Sequence, residues 1–221
     1  MIGGMATIHR TTMAPTKLEL LADWLPRQPW FRDTGSPPAL TRSGGFRLDD
    51  PDGEVGIELM LVTEGSGGAE STYFVPLSYR AAPLTGADDA LVGTSEHGVL
   101  GTRWIYDAAH DPVAVAQLLA LICGSAQAQH QTESDTPDPS VGREWASADG
   151  RLIAPNPLRV SNHRPGHTAV DVRLTETEES DLTLDLVRVL PGNEDTGLGH
   201  VEVAWTRLDG GSARASVAVV R

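Results

Sequence analysis

The sequence predicts an α+β fold: an antiparallel sheet with packed helices, followed by a mostly β second domain. Three observations carry this. Between residues 43 and 106, short apolar runs alternate with turns rich in Gly, Pro and Asp. Two segments with helical spacing, at 15–25 and 111–129, flank those runs. After a polar, proline-punctuated break, strand patterns resume and continue to the end. The expected division is an α+β domain over 1–130, a linker over 131–142 and a mostly β domain over 143–221.

The first helical segment, Pro15 to Leu25, places apolar residues at Leu18, Leu21 and Leu25, with Leu20 and Trp24 beside them. That is a short amphipathic helix with Pro15 near its first turn. It delivers Asp23-Trp24-Leu25-Pro26-Arg27-Gln28-Pro29-Trp30-Phe31, which holds two tryptophans and a phenylalanine in a chain only 5% aromatic. The prolines push Leu25 and Gln28 away from helical geometry. Rings of that size on a stiff turn make an anchor. Arg27 and Gln28, set between the rings, either cap backbone carbonyls or join Trp24, Trp30 and Phe31 in a surface for a partner protein or sugar, since arginine beside aromatics is the composition of a binding hot spot.

Strands are expected at Phe46–Leu48, Val55–Val62, Thr72–Arg80, Leu91–Thr94 and Gly98–Tyr106, forming an antiparallel meander. Asp50-Pro51-Asp52-Gly53 reads as a hairpin turn rather than a calcium loop, because the later ligands of such a loop are out of register. Pro76 implies an edge position or a bulge. Asp111 is a good N-cap and Pro112 a good first residue for a helix running from Val113 to Gln129, interrupted only by Gly124. Further strands are expected at 151–154, 158–161, 168–174, 182–190, 200–207 and 213–220.

Composition narrows the function. A formal net charge of −13 disfavours nucleic acid and anionic membranes as partners. No apolar run approaches the ~20 residues that span a bilayer, and no signal peptide is visible at the start. The single cysteine, Cys123, fits a reduced, cytoplasmic setting. Glu96-His97 and Asp107/His110/Asp111 lack the spacing of a metal site, and no nucleophile elbow or phosphate-binding P-loop occurs. No metal and no cofactor are expected.

The segment Asp-Trp-Leu-Pro-Arg-Gln-Pro-Trp-Phe resembles the opening of the N-terminal cap of actinobacterial maltokinases and related aminosugar kinases. Tyr73–Arg80 resembles a later strand of that cap, and Trp104-Ile105-Tyr106-Asp107-Ala108 with the Leu-rich helix resembles its closing segment, so the likeness runs over most of 16–125. It implies a curved antiparallel sheet with a packed helix, and maltose, trehalose or α-glucan metabolism. Arg159–Val170 is weakly similar to a hairpin of the kinase nucleotide lobe, and Leu184–Val189 to the strand that supplies the phosphate-contacting lysine. His200–Arg207 is similar to the start of a Glu-bearing helix.

In that register Asp185 stands at the lysine position and Glu202 at the helix glutamate. A carboxylate at Asp185 repels the phosphates a lysine would neutralise, and the sequence ends at Arg221 before a catalytic Asp loop could occur. The resemblance therefore implies a non-catalytic, stand-alone cap-like protein with no catalytic residues. It would dock onto a sugar kinase, a trehalose or α-glucan enzyme, or a second copy of itself. A split or minimal ATP-dependent sugar kinase completed by a partner chain, and a carbohydrate-binding module using exposed tryptophans, are the alternatives.

Overall fold

A computed structural model describes residues 13–65, 70–133, 135–146, 156–162, 164–173, 181–192 and 197–221. The strand expected at 151–154 lies outside them.

Chain order gives β1 (Met13–Ala14), α1 (Lys17–Trp24), a 3₁₀ turn at Leu25–Arg27, then β2 (Leu40–Leu48), β3 (Gly56–Glu64) and β4 (Ser71–Arg80). There follow β5 (Leu91–His97), β6 (Gly101–Asp107), α2 (Pro112–Cys123) and β7 (Gly142–Trp145). The chain closes with β8 (Asn156–Ser161), β9 (His167–Arg173), β10 (Asp181–Val187), β11 (Val189–Leu190), β12 (Gly199–Thr206) and β13 (Ser212–Val220). Helices are few and strands dominate, so the fold is sheet-rich. Every pairing is antiparallel, and the strands form one sheet in the order β1-β5-β6-β4-β3-β2-β12-β13-β10-β9-β8, with β11 beside β4 and β7 beside β12.

Local chemistry explains the elements. Thr16 caps α1 and Glu19 reaches back to it, a reciprocal capping box. The β2–β3 hairpin closes on Asp50, whose carboxylate accepts from the backbone N–H groups of Asp52, Glu54 and Val55 at 3.1, 3.0 and 2.9 Å. That confirms the turn at 50–53. Helix α2 starts on Asp111 as expected, yet it stops at Cys123 instead of reaching Gln129. Gly124 adopts a left-handed conformation (φ 85°) and returns its N–H to the last turn, a glycine stop signal.

The expected meander needs correction: β4 pairs with β6, and β5 lies outside β6. Pro76 is correspondingly not on an edge. On one side it faces Leu59 of β3; on the other, β4 pairs with β11 through Thr72–Tyr73 and with β6 through Leu77–Arg80. Pro76 falls in the gap between those two partners, where a missing N–H costs no ladder bond.

The 1–130 and 143–221 segments share this one sheet. They meet where Gly44 of β2 registers with Trp205 of β12. A Cβ at Gly44 would lie 3.1 Å from the Ala204 carbonyl oxygen, so the backbones approach as closely as a glycine allows. The largest core spans the join: Phe46, Leu59 and Phe74 pack with Leu118 and Ile122 of α2 and with Val170, Leu184, Val201 and Val217. The other face of the N-terminal strands packs α1, with Leu21, Trp24 and Leu25 against Met60, Val62 and Val75. The segment expected as a linker is bonded in its middle: Pro137 bridges to Gln129, which in turn bridges to Arg47. No helix among the described residues is long and apolar enough to cross a membrane.

Candidate functional site

The capping box orients α1 so that its last turn delivers Trp24 inward, and the 3₁₀ turn with Pro26 reverses the chain to bring Trp30 back over it. The two rings meet edge to face at 5.8 Å. Trp30 lies 5.9 Å from Tyr73, and Phe31 stacks on Tyr73 at 5.4 Å. The Tyr73 hydroxyl accepts from the Arg32 N–H at 3.2 Å, and burial pushes that phenol up from its ordinary value.

Trp24 and Trp30 are interior residues, 2% and 5% exposed. Arg27 is exposed and donates from Nε to the Asp23 carbonyl at 3.1 Å, while Gln28 donates to the Trp24 carbonyl at 3.3 Å. Both side chains cap the helix end, which is the packing role weighed for them. Phe31 is half-buried. The five residues are therefore brought together, but with the tryptophan faces turned inside.

The residue that organises the region is Arg188, between β10 and β11, which pattern reading did not single out. It is 0% exposed. One guanidinium nitrogen donates to both Asp107 carboxylate oxygens at 2.8 and 2.6 Å, and Nε donates to the Thr168 hydroxyl at 2.8 Å. The guanidinium carbon sits 5.2 Å from the centre of the Trp30 ring, a cation–π contact out of water. Its remaining nitrogen, Nη1, has no hydrogen-bond partner among the described residues. The signal was present as the one cation inside the apolar run Leu186-Val187-Arg188-Val189-Leu190.

Asp185 lies on β10, inside the β9–β10 hairpin, opposite Ala169 on one side and Val219 on the other. It is buried and held by Arg164 Nη1 at 2.8 Å, His167 Nδ1 at 3.1 Å and Arg221 Nε at 3.5 Å. Glu202 sits elsewhere, on strand β12, near Arg214 at 3.6 Å. The expectation that Glu202 opens a helix is corrected by the alternation Val201, Val203, Trp205, which buries one face of a strand.

Along the aromatic anchor runs an open groove of about 430 Å³. Trp30, Phe31 and Arg32 form one wall; Pro165, His167 and Pro191 lie on the other. Elsewhere the acidic and histidine residues are engaged locally. Asp111 takes a two-pronged contact from Arg80 at 2.7 Å, and His97 accepts from the Val99 and Leu100 N–H groups. No group of three or more His, Cys, Asp or Glu that could hold a metal occurs among the described residues.

Residues 24–111 match the model of the maltokinase N-terminal cap domain. Over that stretch, less than half of the chain, the sequence is similar to a maltokinase N-terminal cap domain. The matched stretch begins on the Trp24 anchor, contains β2 to β6, and ends on Asp111, the cap of α2. Asp107 thus lies within the matched stretch, and its partner Arg188 comes from outside it. No curated protein shows significant similarity to the chain.

Proposed function

We propose that this maltokinase-related protein is a non-catalytic member of its kind: a curved, kinase-cap-like sheet that works by docking in maltose, trehalose or α-glucan metabolism. Its partner is a sugar kinase, a trehalose or α-glucan enzyme, or a second copy. The observation that carries this most is the state of Asp185. Where the resemblance places a phosphate-contacting lysine, a buried carboxylate is already matched by Arg164, His167 and Arg221. A phosphate there would meet negative charge where the chemistry requires positive. Glu202, on a strand beside Arg214, is not set to orient such a lysine. Support for the pathway comes from the cap match alone; no nucleic-acid or membrane partner is proposed, given the charge of −13.

The test pairs two assays. Purified protein is mixed with ATP, Mg²⁺ and maltose, and phosphoryl transfer is followed; none is expected. Sedimentation is then measured alone and with the sugar kinase and trehalose enzymes of the same genome. A complex with one of them, or a self-associated species, is expected. A monomer at all concentrations with no complex defeats the docking role. Transfer appearing only when a partner chain is added establishes instead the split kinase.

A further inference from the structure

We propose that the tip of the β5–β6 hairpin, Val99-Leu100, engages a second copy of this chain. Its two aliphatic side chains seat in that copy's groove between Trp30–Phe31 and Pro165–Pro191, reciprocally across a two-fold axis. This deepens the docking role and rests on it.

The tip is the first ground. Val99 and Leu100 are 62% and 45% exposed, an adjacent pair of apolar side chains in water. The turn that carries them is held in one shape. His97 Nδ1 accepts from the Val99 and Leu100 N–H groups at 3.4 and 3.1 Å, and Gly101 takes a left-handed conformation (φ 69°). Across the hairpin the Thr102 hydroxyl donates to Glu96 at 2.7 Å. A turn already ordered gives up little entropy on docking. An exposed aliphatic pair gains nothing within its own chain and becomes an anchor when a partner's pocket takes it out of water.

The groove is the second ground. Its volume of about 430 Å³ has Trp30, Phe31, Pro165, Val189 and Pro191 among its walls, apolar contact for two aliphatic side chains. The tip cannot fill the groove of its own chain. Phe31 stacks on Tyr73 near the start of β4, whereas β6 pairs with the end of β4 at Arg80 and Trp104 and runs on past it to the tip. From Tyr73 to Arg80, and on from Trp104 to Leu100, the strands cover roughly 35 Å. With tip and groove at opposite ends, two antiparallel copies can each fill the other's groove, a closed two-fold contact.

Charge favours a second copy as the occupant. Each copy carries a formal −13, so two copies repel unless the contact is locally balanced. Glu96 and Arg103 flank the tip, and at the groove Arg32 stands beside the exposed Asp33. One acid and one base on each side meet as two opposite pairs with no net charge.

The full-length protein is followed by sedimentation velocity over a wide concentration range, at low and high salt. A dimer is expected, and salt should strengthen it by screening the repulsion between two acidic copies. Val99→Ser with Leu100→Ser should raise the dimer dissociation constant at least about thirtyfold, with an unaltered melting curve. Leu100→Cys and Pro165→Cys proteins, each also carrying Cys123→Ala, should cross-link to one another on mild oxidation faster than either does alone. A parent that stays monomeric, a double variant that associates like the parent, or mixed cysteine variants that cross-link no faster than either alone overturns the proposal. The docking role survives those results if the chain binds a sugar kinase or a trehalose enzyme, and fails only if it binds neither and stays a monomer.

Discussion

Arg188 and Asp107 form a buried ion pair across 81 positions of sequence, with nitrogen–oxygen distances of 2.8 and 2.6 Å. Asp107 ends β6, within the matched stretch, and Arg188 lies between β10 and β11 outside it, so the pair fastens the two segments to each other. Asp107→Ala leaves a buried guanidinium without its counter-charge, a loss of about 3–5 kcal/mol. Adding Arg188→Met removes that stranded charge. Denaturant unfolding should show the double variant less destabilised than the sum of the single ones; strict additivity would mean the two side chains act separately.

Asp111 gives a pH signature. Burial alone would raise its carboxyl, but the two-pronged Arg80 contact and the Val113 N–H outweigh burial and hold it below the ordinary value. A carboxyl lowered on folding stabilises the native state at neutral pH. The contribution is complete above about pH 4, the unfolded value, and is lost as pH falls through the lower folded one. Asp111→Asn should lower stability at pH 7 and leave a flatter acid limb in the curve of stability against pH.

Tyr79 responds at the other end of the scale. Its hydroxyl donates to Glu58 at 2.8 Å, and burial followed by that carboxylate raises the phenol well above its ordinary value. Lys17 pairs with the same carboxylate and lies 5.3 Å from the Tyr79 ring centre. A phenol raised on folding stabilises the native state below about pH 10, and this is lost as pH climbs through the folded value. Tyrosinate absorbance should therefore show the Tyr79 phenol ionising only as the protein unfolds, and Tyr79→Phe should shrink that step by one tyrosine.

The anchor separates packing from surface. Trp30→Ala opens a cavity beside Trp24 and Tyr73 and strips Arg188 of its ring contact, with an expected loss of about 3–5 kcal/mol. Arg27→Ala removes one exposed hydrogen bond to a carbonyl and should cost about 1 kcal/mol or less. Thermal or denaturant unfolding distinguishes the two; similar losses would show that Arg27 does more than cap the helix.

Local pattern revealed most elements, because capping residues, turn chemistry and period-two burial are written within a few residues of one another. Asp50 and Asp111/Pro112 each mark a boundary where it falls, whereas the first helix starts on the Thr16/Glu19 capping box that the reading around Pro15 passed over. Long-range relations were not legible. Nothing near Gly44 announces that β12 will lie against it, and Pro76 looks like an edge residue until its two partial partners are known. At the site, the Trp24–Trp30 anchor was visible as composition. Its inward-facing rings depend on Tyr73 and Arg188, which are remote in sequence. Asp185 stood out through resemblance, whereas its partners come from two separate segments of the chain, Arg164 with His167 and the distant Arg221.

Phosphoryl transfer is the most direct measure of whether a cap-like protein works here without kinase chemistry. With ATP, Mg²⁺ and maltose, the purified chain should release no ADP above background and form no phosphorylated sugar. Turnover that persists in the purified chain and disappears in Asp185→Ala would contradict the proposed role and assign chemistry to the residue taken here as a buried ion-pair partner.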